Sequence, residues 1–401
     1  MREPRIMDEH VLPTYRRHPT VFTRGRGTLL MDEDGNQVLD FLSGLGVTAL
    51  GHSHPRWVAA VREQAGELVH VSNLLRHPFT EVVAERLARL SGLHACFFSN
   101  SGTEANECAL KIARAHHARS GHPQRTAFLA LQGGFHGRTF GSLSVTAHAA
   151  YRTPFGPALE ATFLPPGDAA ALQTALAASP AALILEPVQG EGGLNVLSAH
   201  YLQIARKLCD ESGTLLICDE VQCGAGRTGT FLAASRAGVT PDLATLAKPL
   251  GGGLPMGVTL VRRGLTQVLA PGDHGTTFGG GPLVLAAALV FLEELEEGGL
   301  SGAVQERGRQ LAAGLERLVT AHPAVTERRG LGLMQGLVIP GHAAAVQAAL
   351  LQDGLLAATA AGDVLRFLPP YTVSSREIER ALLLLDHCLS KTLEQRESCK
   401  L

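Results

Sequence analysis

The chain has 401 residues, 45% hydrophobic and 18% charged, with a formal net charge of −2 and a sequence pI near 6.8. That length supports a large core and more than one domain, and the near-neutral balance gives no reason to expect nucleic acid or an anionic membrane as a partner. No apolar run is long enough to cross a bilayer, the first thirty residues lack the apolar core of a secretory signal, and the seven cysteines form no C-x-x-C pair. A cytoplasmic protein with reduced thiols, acting on small metabolites, is expected.

Residues 1–14 are polar. From Tyr15 to Gly46, short strand-like runs alternate with turn signals, and Leu29–Met31 and Gln37–Phe41 flank Asp32-Glu33-Asp34-Gly35-Asn36 as a hairpin. Gly51-His52-Ser53-His54-Pro55 leads into a helix near Arg56. Its two histidines read as turn caps, because no third metal ligand lies near. Helices follow over 56–70 and 79–91. An apolar strand, Ala95–Phe98, then turns through Ser99-Asn100-Ser101-Gly102-Thr103 into an amphipathic helix carrying Ala105, Ala109 and Ile112 on one face. Helix amino termini bind phosphates, so this turn is a candidate phosphate cradle.

Three further apolar runs end in polar residues: Thr126–Leu131 before Gln132–Arg138, Ala182–Leu185 before Glu186, and Thr214–Cys218 before Asp219-Glu220. Alternating with helical stretches such as Ala199–Ser212, they predict a parallel sheet with right-handed crossovers. Ligands bind at the carboxyl edge of such sheets, which nominates Asp219. Gly224-Ala225-Gly226-Arg227-Thr228-Gly229 is formally G-x-G-x-x-G, with Asp242 downstream, and offers a dinucleotide-binding oxidoreductase as the alternative. Context argues against it, since four residues separate Asp219 from Gly224 and no clean long helix opens after Gly229.

Leu243–Ala247 delivers Lys248 into Pro249-Leu250-Gly251-Gly252-Gly253. The chain has only five lysines, the rest of its 35 basic residues being arginine, and this one ends an apolar run beside three glycines. It reads as a buried, reactive amine. His274–Phe278 is a loop, and from Pro282 the composition shifts to Ala/Leu/Glu helices with strand-like pieces at Gly332–Val338 and Val364–Leu368. The expected organisation is α/β: a mostly parallel central sheet flanked by helices, plus a smaller α+β domain. Its segments are an amino-terminal segment (1–46) packing with the small domain, a large domain (47–285), a small domain (286–395) and a tail (396–401). The last three residues, Cys399-Lys400-Leu401, are a variant of the peroxisomal tripeptide that any short tail can match by chance.

Asp219 and Lys248 at one sheet edge suit pyridoxal 5'-phosphate. That cofactor needs a lysine to attach its aldehyde, a carboxylate to keep its ring nitrogen protonated, and a phosphate cradle, here Ser101, Gly102 and Thr103. Val221 and Gln222, just beyond Asp219, are placed to reach the ring face and the ring hydroxyl.

Ser99–Asn106, Phe135-His136-Gly137-Arg138, Glu186–Gly192, Asp219–Gln222, Lys248 and Thr276–Gly280 occur in the order and rough spacing of the class-III aminotransferases, which the chain resembles from about Tyr15 to about Leu389. The resemblance implies a fold-type I transferase that dimerises with its active sites at the subunit interface. It also implies the substrates, an ω-amino donor and 2-oxoglutarate, with N-acetylornithine the favoured donor because Leu45 stands where ornithine-specific members carry tyrosine. A carrier-protein-linked aminoadipate semialdehyde, ornithine and 4-aminobutyrate stay open as alternatives. By the same resemblance Phe135 stacks on the ring, His136 lies with the cofactor, Arg138 and Arg366 grip carboxylates, and Glu191 pairs with Arg366. Tyr15 and Glu186 face the substrate, and Thr277 reaches the phosphate of the neighbouring subunit. Pro249 and Gly281 depart from the family pattern.

Overall fold

The computed structural model describes residues 10–156 and 158–398. Its centre is a seven-stranded sheet in the order Ala95–Ser99, Gly257–Val261, Leu243–Leu246, Leu215–Asp219, Ala182–Leu185, Phe128–Leu131, Ala161–Leu164. Gly257–Val261 runs antiparallel to both neighbours, while the five strands from Leu243–Leu246 to Ala161–Leu164 pair in parallel.

The central strands are apolar without alternation because both of their faces are covered. Leu215 and Ile217 pack into a cluster with Ala109 and Ile112 of the helix Gly102–Arg119, whereas Leu216 and Cys218 face Leu202 and Ala205 of the helix Ala199–Ser212. Successive residues of one strand therefore feed two cores, each buried leucine contributing about 1.5–3 kcal/mol. The outcome is a rigid edge that presents strand ends at fixed spacing.

The carboxy-terminal part holds a four-stranded sheet, Glu327–Leu331, Met334–Val338, Val364–Phe367 and Ala358–Ala360, with the helices Leu300–Ala321, Ala343–Gln352 and Ser375–Ser398. The amino-terminal strands Phe22–Arg26, Leu29–Asp32 and Gln37–Asp40 form a meander extended by Leu355–Leu356, which pairs in parallel with Gln37–Asp40. Leu368 N also donates to Phe41 O at 2.6 Å. The strand Gln37–Asp40 and Phe41 are thus tied to the segment Leu355–Leu368.

The reading of His52 and His54 as turn caps needs correction. His54 occupies the N-cap position of the helix Pro55–Glu67, but its side chain makes no capping bond, and His52 Nε2 instead lies 2.7 Å from Asp40 Oδ2. The six described cysteines are free, no group of metal-ligating side chains is present among the described residues, and no described helix is long and apolar enough to cross a membrane. Cys399-Lys400-Leu401 lies outside the described residues.

Candidate active site

A cavity of about 240 Å³ opens at the carboxyl ends of the parallel strands, walled among others by Gly102, Phe135, His136, Asp219, Val221 and Lys248. Asp219 ends the strand Leu215–Asp219 and is 3% exposed. Its Oδ2 accepts from Asn106 Nδ2 at 2.8 Å and lies 2.8 Å from His136 Nδ1, while Oδ1 accepts from Val221 N at 3.0 Å. A carboxylate only accepts, so His136 carries its proton on Nδ1. Asn106 is itself fixed, donating to His136 O at 2.7 Å and accepting from Thr245 Oγ1 at 2.8 Å. The acid is therefore immobilised from three directions.

Lys248 begins the turn directly after Leu243–Leu246 and Ala247 and is half-buried in the cavity wall. Burial pushes its ammonium pKa down, against the carboxylates of Asp219, Glu186 and Glu191, which pull it up. Its amine is consequently easier to deprotonate than an exposed lysine.

Ser101 caps the helix Gly102–Arg119, its Oγ accepting from Glu104 N at 3.3 Å, and Glu104 Oε2 accepts from Asn100 N at 2.6 Å. The N–H groups of Gly102 and Thr103 are left without intrahelical acceptors at the positive end of the helix. A Cβ on Gly102 would stand 2.7 Å from Val221 Cγ1, so only glycine lets the turn approach the cavity this closely.

Phe135 N donates to Glu186 Oε1 and Gly190 N to Glu186 Oε2, each at 2.9 Å. Burial raises the Glu186 pKa to about 7, opposed by His136 and reinforced by Asp219. The Arg138 guanidinium lies 3.6 Å from the Tyr151 ring centroid and 5.5 Å from that of Phe135. Phe135 and Glu191 also border a second cavity of about 660 Å³ that reaches Tyr151, Arg152 and Ala361. Arg366, 1% exposed, donates from Nη1 to Glu191 Oε1 at 2.7 Å and to Gln222 Oε1 at 3.1 Å.

The fold gathers most of the sequence-nominated residues on one wall: Gly102, Thr103, Phe135, His136, Arg138, Glu186, Glu191, Asp219, Val221, Gln222 and Lys248, with Arg366 behind Glu191. Ser101 stands behind the wall as a cap. Tyr15 is 76% exposed and Thr277 is exposed on its loop, and neither lines the cavity. Asn106 was missed as a partner of the acid, and Thr245 as the residue that holds Asn106, although Asn106, a polar residue beside Ala105 on the buried helix face, carried a signal.

The family model for class-III aminotransferases matches residues 12–389. The chain belongs to the class-III aminotransferases. An acetylornithine aminotransferase of Bradyrhizobium diazoefficiens is 42% identical over 372 residues, covering 92% of each chain. Among solved structures, the ornithine aminotransferase of Toxoplasma gondii superposes with a TM-score of 0.93 at 33% identity, covering 97% of this chain and 93% of that one. The N-acetylornithine aminotransferase of Stenotrophomonas maltophilia gives 0.84 at 34% identity, covering 95% and 98%. This aminotransferase is pyridoxal-phosphate-dependent, and its cavity fits that cofactor: an amine for the aldehyde, a fixed acceptor for the ring nitrogen, a buried His136 Nε2 without a protein partner, and a helix terminus stripped of its Cβ for the phosphate.

Proposed function

We propose that the enzyme moves the terminal amine of N-acetylornithine to 2-oxoglutarate, giving N-acetylglutamate semialdehyde and glutamate, as a step of arginine biosynthesis in the cytoplasm. The Glu191–Arg366 pair is the observation that carries the reading, because a donor whose reacting amine is remote from its carboxylate needs a neutralised Arg366, and an α-keto acid needs a free one. The acetylornithine aminotransferase relatives support the same donor.

When bound, the cofactor stores the amine between half-reactions and draws electrons from the substrate carbon. Lys248 would hold the cofactor's aldehyde and, as a free amine, would take the proton from the donor's amine-bearing carbon. Asp219 keeps the ring-nitrogen proton in place, held by Asn106 and His136. Thr103 and the Gly102 turn would hold the phosphate, Phe135 and Val221 would cover the ring, and Gln222 would meet the ring hydroxyl. Arg138 binds the donor carboxylate, with Glu186 facing the same substrate. Glu191 then leaves Arg366, whose guanidinium takes the α-carboxylate of 2-oxoglutarate in two-point fashion.

The working unit in this reading is a homodimer in which Thr277 reaches the cofactor phosphate of the partner subunit. Exposed Leu74, Leu75 and Phe278 favour an interface here, since Asn73 Nδ2 ties their two segments together through Thr276 O and Gly279 O at 3.1 Å. A donor panel tests the function: glutamate formation from 2-oxoglutarate should be fastest with N-acetylornithine. Preference for ornithine, 4-aminobutyrate or a carrier-linked aminoadipate semialdehyde would overturn the donor while leaving the transaminase.

A further inference from the structure

Arg227, the arginine of the Gly224–Gly229 motif, has no part in the mechanism above, yet it is 0% exposed and among the largest fully buried side chains. No described acid pairs with it. Its Nη1 donates to two main-chain carbonyls, Leu333 O at 3.2 Å and Pro369 O, while Nε and Nη2 have no partner. The guanidinium lies 4.5 Å from the Tyr371 ring centroid, and Tyr371 OH donates to Ala225 O at 3.0 Å, back into the same motif. The main chain adds a further link, Leu333 N donating to Arg227 O at 3.0 Å. A Cβ on Gly332 would stand 2.6 Å from Arg227 O, so the two segments touch too closely for any larger residue there.

The two carbonyls that Arg227 holds stand opposite each other at one end of the strand pair that carries Arg366. Arg366 pairs with Gly336 across the strands Val364–Phe367 and Met334–Val338. Leu333 lies three residues before Gly336, and Pro369 three residues after Arg366. A cation left without a counter-ion in a dry site is costly, and its retention requires work that an apolar side chain would not do. A single nitrogen bonding both strand ends fixes the stretch of sheet that carries Arg366 against the large domain.

We infer that Arg227 is a positioning residue for substrate recognition: by clamping Leu333 and Pro369 it sets where the Arg366 guanidinium stands, and so governs affinity for the α-carboxylate of the dicarboxylic acceptor. This rests on the reading of Arg366 as the acceptor's carboxylate site. The glycines around Arg227 stand against protein neighbours, Gly224 against Glu220 and Leu246 and Gly226 against Leu295 and Tyr371.

The test uses cofactor-loaded enzyme with Arg227→Lys, Arg227→Met and Arg366→Gln, and glutarate as an unreactive dicarboxylate probe. Calorimetry should show glutarate binding weakened about tenfold or more in Arg227→Met, with KM for 2-oxoglutarate rising in step and kcat changing far less. Arg227→Lys, which keeps a cation but not the planar fork, should fall between it and the parent. The half-reaction with N-acetylornithine should change little. Should Arg227→Met fail to fold, Arg227→Lys carries the comparison. If folded Arg227 variants bind glutarate as the parent does, or lose both half-reactions by equal factors, the inference is overturned. Normal glutarate binding by Arg366→Gln would overturn the reading of Arg366 and the inference with it, whereas weakened binding there alone would remove only the role of Arg227.

Discussion

Glu191 and Arg366, 175 residues apart in sequence, meet at 2.7 Å, with the Arg366 side chain 2% exposed and that of Glu191 37%. The asymmetry has a direct consequence. The buried cation cannot be moved cheaply, while the acid sits in the loop Gly190–Gly193 with more than a third of its side chain open to solvent. Removing the acid leaves Arg366 charged and ready for an α-carboxylate at all times.

Glu191→Gln should therefore bind 2-oxoglutarate more tightly and slow the half-reaction with N-acetylornithine about tenfold or more, because the donor's amino end then meets an unneutralised guanidinium. Stopped-flow traces of the two half-reactions separate the effects, and equal slowing of both would contradict the gating role.

Asn106→Ala removes two donors and one acceptor from a buried network and leaves Asp219 Oδ2 with His136 alone. A loss of about 1–3 kcal/mol per orphaned group is expected, shared between fold stability and cofactor retention. The dissociation constant of the cofactor, measured by equilibrium dialysis, should rise clearly, and an unchanged value would show that the acid is held well enough without the amide.

Gly102→Ala should release the cofactor because the new Cβ would stand 2.7 Å from Val221 Cγ1. The double variant with Val221→Ala should recover much of that loss, since the clash is with one side chain tip and neighbouring substitutions are not additive. Failure of the second substitution to help would mean that the backbone of the turn, not the contact, sets the approach.

Glu220 is fully buried and accepts from Ala233 N at 2.7 Å and Ala234 N at 2.9 Å; burial nevertheless raises its pKa to about 7, from an ordinary value near 4.5. A carboxyl whose pKa is raised on folding stabilises the fold most below pH 4.5, and that contribution is lost as the pH climbs through 7. Glu220→Gln has no such titration, so urea unfolding should show it most destabilised relative to the parent near pH 5, with the gap narrowing by pH 8.

The chemistry was legible in the sequence wherever a strand end carried it. Asp219 and Glu186 each follow an uninterrupted apolar run, and Lys248 one broken only by Thr245; such runs announce both the buried strand and the edge where its polar residue emerges. Partnerships were less legible. Helical periodicity places Asn106 on a buried face but does not say that it meets Asp219, since that contact spans 113 residues and depends on how the helix crosses the sheet. The glycine motif at Gly224–Gly229 shows why spacing alone misleads: glycines admit a phosphate or a close protein neighbour equally well, and here Gly224 stands against Glu220 and Leu246, and Gly226 against Leu295 and Tyr371. Tyr15 and Thr277 sit on exposed segments whose spacing says nothing about what they reach.

The most direct measurement is a visible-absorbance scan of the cofactor-loaded protein mixed separately with N-acetylornithine and with glutamate, beside a Lys248→Ala control. Each amino donor alone should convert the lysine-attached cofactor to its amine form in the parent, and neither should do so in the control. Loss of the band with glutamate only would move the donor elsewhere, and a Lys248→Ala protein that still turned over at the parental rate would contradict the role given to that lysine.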